Sequence, residues 1–420
     1  MQTQTIYSPT IKAVREAVAT LKGVAIETPL LNNYIYSEKY NANIFLKRED
    51  LQQVRSYKIR GAYNKMNSVT QAQRANGIVC ASAGNHAQGV AFACKKLQIH
   101  GTIVMPAPTP KQKVAQVKMF GGDYVDIQLS GDTFDDAYKY AKNICDTLEK
   151  TFVHPFDDQK IIEGQATVGL EIIEQSKEII DYVFVPVGGG GLASGVSSIF
   201  KLLSPTTKVI GVEPAGAASM KTSIEANKNI KLAKIDKFID GAAVQQVGNL
   251  TFDICKENLH DMITVPEGKV CQTILDLYNR EAIVVEPAGA LTITALDFFA
   301  EEIKGKNVVC VISGSNNDIA RTAEIKERAL LYSELKHYFI IRFPQRAGAL
   351  KDFLMDVLGK NDDITFFEYS KKSSKENAPA VVGIELVKKE DLAPLIARMK
   401  ALNFYGEYLN DKPNLFEFLV

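Results

Sequence analysis

Tyr182-Val183-Phe184-Val185-Pro186-Val187-Gly188-Gly189-Gly190-Gly191-Leu192-Ala193 is the stretch on which the fold turns. Its apolar, β-branched opening shows no polar alternation, so it reads as a strand buried on both faces, as in a parallel sheet. Four glycines follow, and a helix-period segment over 193–203 begins at once. Bare glycine backbone reaches conformations closed to other residues. Its N–H groups, backed by the positive end of a helix dipole, can surround an anion. A phosphate suits this place. A turn in which glycine merely lets strand and helix pack closely is the alternative, but four in a row carry a large chain-entropy cost for that alone.

The same texture repeats on either side. Residues 42–46, 77–81, 101–105, 208–212 and 307–313 read as further buried strands, and intervening segments such as 132–149 are long enough for crossover helices. Repeated βα units predict parallel sheets covered by helices. More than about 300 residues of this pattern exceeds one core, so an α/β fold of two lobes with a cleft between them is expected. After Asp318 the pattern changes. A charged connecting helix over 319–335 leads to a strand (337–343), a helix (347–358), two strands (364–369 and 380–387), a helix (391–402) and a closing strand near 415–420. That order is βαββαβ, the ferredoxin-like α+β arrangement. The expected division is therefore 1–325, a connecting helix at 326–335, and 336–420.

Composition narrows the function. The 420 residues carry 49 basic and 49 acidic side chains, and this balance lacks the broad positive footprint of a nucleic-acid binder. The first residues lack the layout of a secretory signal, and no run of about 20 apolar residues predicts a membrane span. The six cysteines are scattered without a CxxC pair, which predicts buried free thiols in a reducing cytoplasm. The five histidines show no zinc-ligand spacing, so no metal is expected.

Three more segments could carry chemistry. Gly188, Gly190 and Ala193 satisfy G-x-G-x-x-A, with Glu213 closing the next strand, so a nicotinamide dehydrogenase is one reading of the loop. No Gly-Lys-Ser/Thr ending follows, which excludes a P-loop. In Phe45 to Ala62 a lysine, Lys58, follows Tyr57 at a predicted helix start. A lysine near cations or partly desolvated loses its proton more readily and becomes a nucleophile. Lys47, Arg48, Arg55 and Arg60 compete as cations, so spacing does not single out Lys58. Ser82-Ala83-Gly84-Asn85-His86 follows a strand and enters a helix, with Ser82 the expected N-cap and Asn85 and His86 turned to the cleft. Ser313-Gly314-Ser315-Asn316 again ends a strand. Ligands in open α/β sheets gather at the carboxyl ends of strands, so these loops should share one site.

Taken in order, Ser56-Tyr57-Lys58-Ile59-Arg60-Gly61-Ala62, Ser82 to His86, Gly188 to Leu192 and Ser313 to Asn316 resemble the signatures of two-lobed, tryptophan synthase β-like, fold-type II pyridoxal-phosphate enzymes. Among these the chain is most similar to the threonine dehydratase family, with serine dehydratase and serine racemase as cousins. Glu27 to Leu30, Pro155 to Asp158, Glu163 to Gln165, Asp240 to Val244 and Glu286-Pro287 also match. The tail, with Phe343 to Leu350, resembles the ACT-like regulatory domain of biosynthetic members.

The resemblance implies roles. Lys58 would hold pyridoxal 5'-phosphate covalently and act as base on the substrate α-proton. Gly188, Gly189, Gly190, Gly191 and Leu192 would hold the cofactor phosphate, Asn85 its ring hydroxyl and Ser313 its ring nitrogen, with Tyr57 beside the ring. Ser82, Ala83, Gly84, Asn85 and His86 would take the substrate carboxylate. The implied reaction turns L-threonine into 2-oxobutanoate and ammonia, with isoleucine as inhibitor, valine as an opposing effector, and a homotetramer as the assembly. A serine dehydratase or racemase on the same scaffold is the alternative. The chain departs from the pattern at Ala215 to Ser219, where no carboxylate follows Glu213-Pro214 to hold the divalent cation of the racemases. It departs again at Ala347, where many ACT domains carry proline.

Overall fold

The computed structural model describes residues 7–369, 377–412 and 414–416. The chain forms two compact units, Met1–Ile319 and Ala320–Val420.

The first unit holds two sheets. One has six strands in the order Leu30–Asn32, Asn43–Arg48, Asn307–Ile312, Tyr182–Pro186, Lys208–Pro214 and Asp261–Val265, all parallel except the first. The other has four parallel strands in the order Val125–Leu129, Gly101–Met105, Ile78–Ala81 and Thr151–Phe152. The central strands are the apolar runs visible in the sequence, and Gly101–Met105 and Tyr182–Pro186 are buried at every position. Leu30–Asn32, Val125–Leu129, Thr151–Phe152 and Asp261–Val265 went unread in the sequence, and all four lie at sheet edges. An edge strand need be apolar on one face only, so it lacks the continuous run that marks a central one.

Helix Gln159–Gln175 runs between the helices that carry the functional loops. Gly164 and Gly195 let its neighbours approach backbone to backbone: a Cβ at Gly164 would lie 2.6 Å from the Arg60 carbonyl oxygen, and one at Gly195 2.6 Å from the Ala166 nitrogen. A buried ionic network reinforces this contact. Arg60 donates to both oxygens of Glu49 (2.7 Å each) and to both of Glu171 (2.5 and 2.8 Å). Lys47 donates to Glu171 at 2.6 Å, and Thr28 closes the ring on Glu49 at 2.5 Å. Burial alone would raise the pKa of Glu49, but Arg60 and Lys47 outweigh it and hold the carboxyl below its ordinary value. Because Arg60 lies in the first turn of helix Lys58–Asn67, the network fixes that helix start.

The second unit is an antiparallel sheet in the order Asp363–Tyr369, Asn377–Glu385, Lys336–Pro344 and Tyr405–Tyr408. The first and third strands in sequence are central, as the ferredoxin-like order requires. Helix Leu392–Ala401 and the turns Ala349–Asp352 and Phe353–Val357 cover one face, closing a core of Phe339, Ile341, Phe353, Val382, Leu395 and Met399. The closing strand differs from the expectation at 415–420: it is Tyr405–Tyr408, Asn414 to Phe416 are helical, and 417–420 fall outside the described residues. Gly406 makes this strand possible, since a Cβ there would run into the Ile340 carbonyl of the neighbouring strand. The helix before the sheet is Thr322–Tyr332, shorter than 319–335, and its Glu327 binds Lys336 and the Tyr338 hydroxyl (2.6 Å).

Arg60→Met leaves Glu49 without its main partner in the interior. The expected loss is about 3–5 kcal/mol of stability, read from urea denaturation of the full-length protein.

Candidate active site

The glycine loop leaves strand Tyr182–Pro186 and enters helix Gly191–Leu203, which starts two residues earlier than the sequence suggests. Gly190 caps that helix at φ +92°, a left-handed conformation that strains any residue with a Cβ. A Cβ there would also lie 2.7 Å from the Met220 side chain. Thr251 donates its hydroxyl to the Gly189 carbonyl at 2.6 Å, which turns the loop's N–H groups the other way. Among the described residues, none accepts a hydrogen bond from the main-chain N–H groups of Gly188 to Leu192. An oriented set of free N–H groups at a helix N-terminus is a ready anion cradle.

Lys58 opens helix Lys58–Asn67, and its amine donates to the Pro155 carbonyl at 2.9 Å. Loss of hydration lowers its pKa to about 8, with the Glu286 carboxylate working in the opposite direction. Tyr57 donates its main-chain N–H to the Ser313 carbonyl at 3.2 Å, and Ser56 bridges to Gly314, so the lysine and serine loops are stitched together. The residue after Pro155, Phe156, brings in the glycine loop: a Cβ at Gly189 would lie 2.2 Å from the Phe156 ring.

The loop at 82–86 differs in part from its reading. Gly84, not Ser82, caps helix Asn85–Leu97, and the Ser82 hydroxyl instead accepts the Gly84 N–H at 3.2 Å. A Cβ at Gly89 in this helix would lie 3.1 Å from the Lys58 carbonyl, and that close approach presses the loop against the lysine. Asn85 faces the site: it donates to Glu286 at 2.6 Å and accepts from Asn316 at 2.6 Å. His86 does not. Its ring is buried with Nε2 donating to the Val153 carbonyl at 2.9 Å, and burial followed by the nearby Lys58 charge lowers its pKa to about 3. Its contribution to an anion site is limited to its main chain.

Glu286, Asn316, Pro155 and Thr251 had no role assigned from sequence, although Glu286-Pro287 and Pro155-Phe156 stood among the quoted matches. Glu286 is buried, and burial followed by the Asp240 charge raises its pKa to about 7 against the bond from Asn85. Glu213, the acid of the dinucleotide reading, is spent elsewhere: it is fully buried and accepts the N–H groups of Met220 (2.7 Å) and Lys221 (3.0 Å). Glu213 is thus not free to take a ribose, and the dehydrogenase reading loses the acid it needs.

A recessed amine of lowered pKa beside a cradle of free N–H groups fits a phosphate-bearing aldehyde. The model for "Pyridoxal-phosphate dependent enzyme" matches residues 21–314, and that for "C-terminal regulatory domain of Threonine dehydratase" matches 327–419. A Halalkalibacterium halodurans protein, "L-threonine dehydratase biosynthetic IlvA", is 56% identical over 401 residues, spanning 96% of this chain and 97% of its own. The chain belongs to the biosynthetic threonine dehydratase family.

A second dehydratase of that name, from Bacillus subtilis, is 55% identical over 410 residues, covering 98% of this chain and 97% of its own. Among solved structures, the processed form of tomato (Solanum lycopersicum) threonine deaminase isoform 2 superposes with a TM-score of 0.73 at 40% identity, over 77% of this chain and 90% of that one. Maize serine racemase follows the same fold at a TM-score of 0.71 and 30% identity, over 78% of this chain and 99% of that one. This dehydratase depends on pyridoxal phosphate, as its family does. Among the described residues no helix is long and apolar enough to cross a membrane.

Lys58 makes the cofactor-free protein pH-sensitive in a definite direction. Its folded pKa of about 8 lies below the ordinary 10.5, so between these values the unfolded chain holds a proton that the folded one has released. Stability therefore rises with pH across that window. In Lys58→Met the rise should be smaller, as measured by denaturation of both cofactor-free proteins from pH 7.5 to 10.5.

Proposed function

We propose that the protein is an L-threonine ammonia-lyase that converts L-threonine to 2-oxobutanoate and ammonia for isoleucine synthesis. The observation that carries this reading is the Lys58 amine, held on the Pro155 carbonyl next to the free N–H cradle of Gly188 to Leu192. Bound there, pyridoxal phosphate supplies an aldehyde for amino groups and an electron sink that acidifies the substrate Cα–H.

The chain's own groups do the rest. Lys58 holds the cofactor and, once displaced by the substrate amine, takes the proton from Cα; a pKa of about 8 leaves it a usable fraction of free amine near neutrality. Gly188, Gly189, Gly190, Gly191 and Leu192 bind the phosphate through main-chain N–H groups. Asn85, oriented by Glu286 and Asn316, has one amide hydrogen left to donate to the ring hydroxyl oxygen. Tyr57 would flank the ring, and Ser313 would offer the ring nitrogen a neutral hydroxyl in place of a carboxylate. The main chain of Ser82, Ala83, Gly84, Asn85 and His86 receives the substrate carboxylate, with the Ser82 hydroxyl shaping the loop.

Residues 1–325 carry this chemistry, 326–335 connect, and 336–420 form the regulatory domain. That domain takes isoleucine as inhibitor and valine as opposing ligand, in a cytoplasmic homotetramer. Threonine and serine differ by one methyl group, so side-chain fit separates them by only about 1–3 kcal/mol, and relative turnover on the two tells this reading from a serine-directed dehydratase or racemase.

Purified protein should show a visible absorbance band that borohydride removes, with the reduced adduct mapping to Lys58. A band that reduces onto another lysine, or a nicotinamide spectrum, rejects the assignment. Deleting residues 333–420 should keep threonine turnover while abolishing inhibition by isoleucine, and inhibition that persists would place the effector outside the deleted segment.

A further inference from the structure

The turn His154-Pro155-Phe156-Asp157 reaches both the lysine and the glycine loop, and the reading above uses only one of its atoms. Its Pro155 carbonyl receives the Lys58 amine at 2.9 Å. Phe156 covers the glycine loop, where a Cβ at Gly191 would lie 3.0 Å from its own Cβ. The Asp157 carboxylate accepts the N–H groups of Asn249 (3.1 Å), Leu250 (3.0 Å) and Thr251 (3.2 Å), the first turn of helix Asn249–Asn258. Thr251 in turn holds the Gly189 carbonyl. Three consecutive residues thus set the lysine, the glycine loop and the helix behind that loop.

What shapes the turn is His154. Its Nδ1 accepts the main-chain N–H of Asp157 at 2.8 Å and that of Phe156 at 3.3 Å. A ring nitrogen that accepts two N–H groups carries no proton, so the proton sits on Nε2. The ring is clamped edge-on by Phe156 (centroids 4.7 Å apart, planes at 89°), Phe152 (6.0 Å) and Tyr138 (6.3 Å). Four charges act on it, Asp157 and Asp158 raising its pKa and Lys58 and Lys142 lowering it. Burial, the largest influence, lowers its pKa to about 4, so the acceptor nitrogen stays bare at neutral pH.

We propose that His154 is a positioning residue whose bare Nδ1 fixes the turn that holds the Lys58 amine in register with the phosphate-binding glycine loop. The proposal rests on the reading that Lys58 and Gly188 to Leu192 bind pyridoxal phosphate, and it adds a residue that touches neither cofactor nor substrate. The chemistry required is that of an acceptor two and three residues ahead of the N–H groups it serves. Asparagine can supply this through its side-chain oxygen in an Asx-type turn. Phenylalanine keeps the aromatic packing and removes the acceptor.

The test compares wild type, His154→Phe and His154→Asn as full-length proteins, each resolved from cofactor and titrated with pyridoxal phosphate. The pH midpoint of the visible band and the melting temperature of the cofactor-free form are recorded alongside. Losing the acceptor from the turn should weaken cofactor affinity about ten-fold in His154→Phe and move the band's pH midpoint. His154→Asn should recover most of the affinity and the wild-type midpoint, with the two cofactor-free variants melting alike. Wild-type affinity and midpoint in His154→Phe would overturn the proposal. So would equal loss in both variants, because packing and not the acceptor would then be what matters. A wild-type adduct on a lysine other than Lys58 would instead refute the reading beneath it.

Discussion

The hydrogen bond from the Lys58 amine to the Pro155 carbonyl, 2.9 Å long, is the constraint on which the site depends. An amine drawn out of water needs a partner, and a neutral carbonyl gives it one without pinning its charge as a carboxylate would. The donor end is held by a helix whose first turn is fixed through Arg60 to Glu49 and Glu171. The acceptor end sits on a turn tied to the glycine loop and to helix Asn249–Asn258. Rigid ends on both sides turn one modest bond into a fixed geometry.

Charge is distributed to protect that arrangement. The strong ions of the interior, Arg60, Lys47, Glu49 and Glu171, neutralise one another in the network behind the lysine helix. Groups nearer the amine are kept uncharged: His86 and His154 are pushed to pKa values of about 3 and 4 by burial first, and both serve as hydrogen-bonding wedges. Glu286 is the exception that bears on the site, reaching Asn85 directly and acting on Lys58 through space. Its raised pKa of about 7 reflects the cost of keeping a carboxylate dry.

The second unit follows different physics. Its strands pair antiparallel and its helices pack onto a single apolar core of Phe339, Ile341, Val382 and Leu395, so most of its elements are short apolar segments of their own. That is why the order βαββαβ could be read directly, while the final strand could not. Tyr405–Tyr408 is four residues long, contains a glycine and carries no apolar run, and it is held by pairing with Lys336–Pro344.

Local pattern was enough to determine the α/β class, the central strands, the glycine loop and the order of the carboxyl-end loops, because each is written in contiguous residues whose backbone needs are local. The resemblance of four loops then pointed to Lys58 where spacing alone left five cations in competition. Tertiary structure decided what depends on distant partners: which strands form the edges, that Gly84 and not Ser82 caps its helix, that His86 turns inward, and that Glu213 is consumed by two N–H groups. It also brought residues more than 90 positions apart, Lys58 and Pro155, to bonding distance. Such pairings arise from packing two sheets and a shared helix together, and no short window of sequence contains both members of the pair.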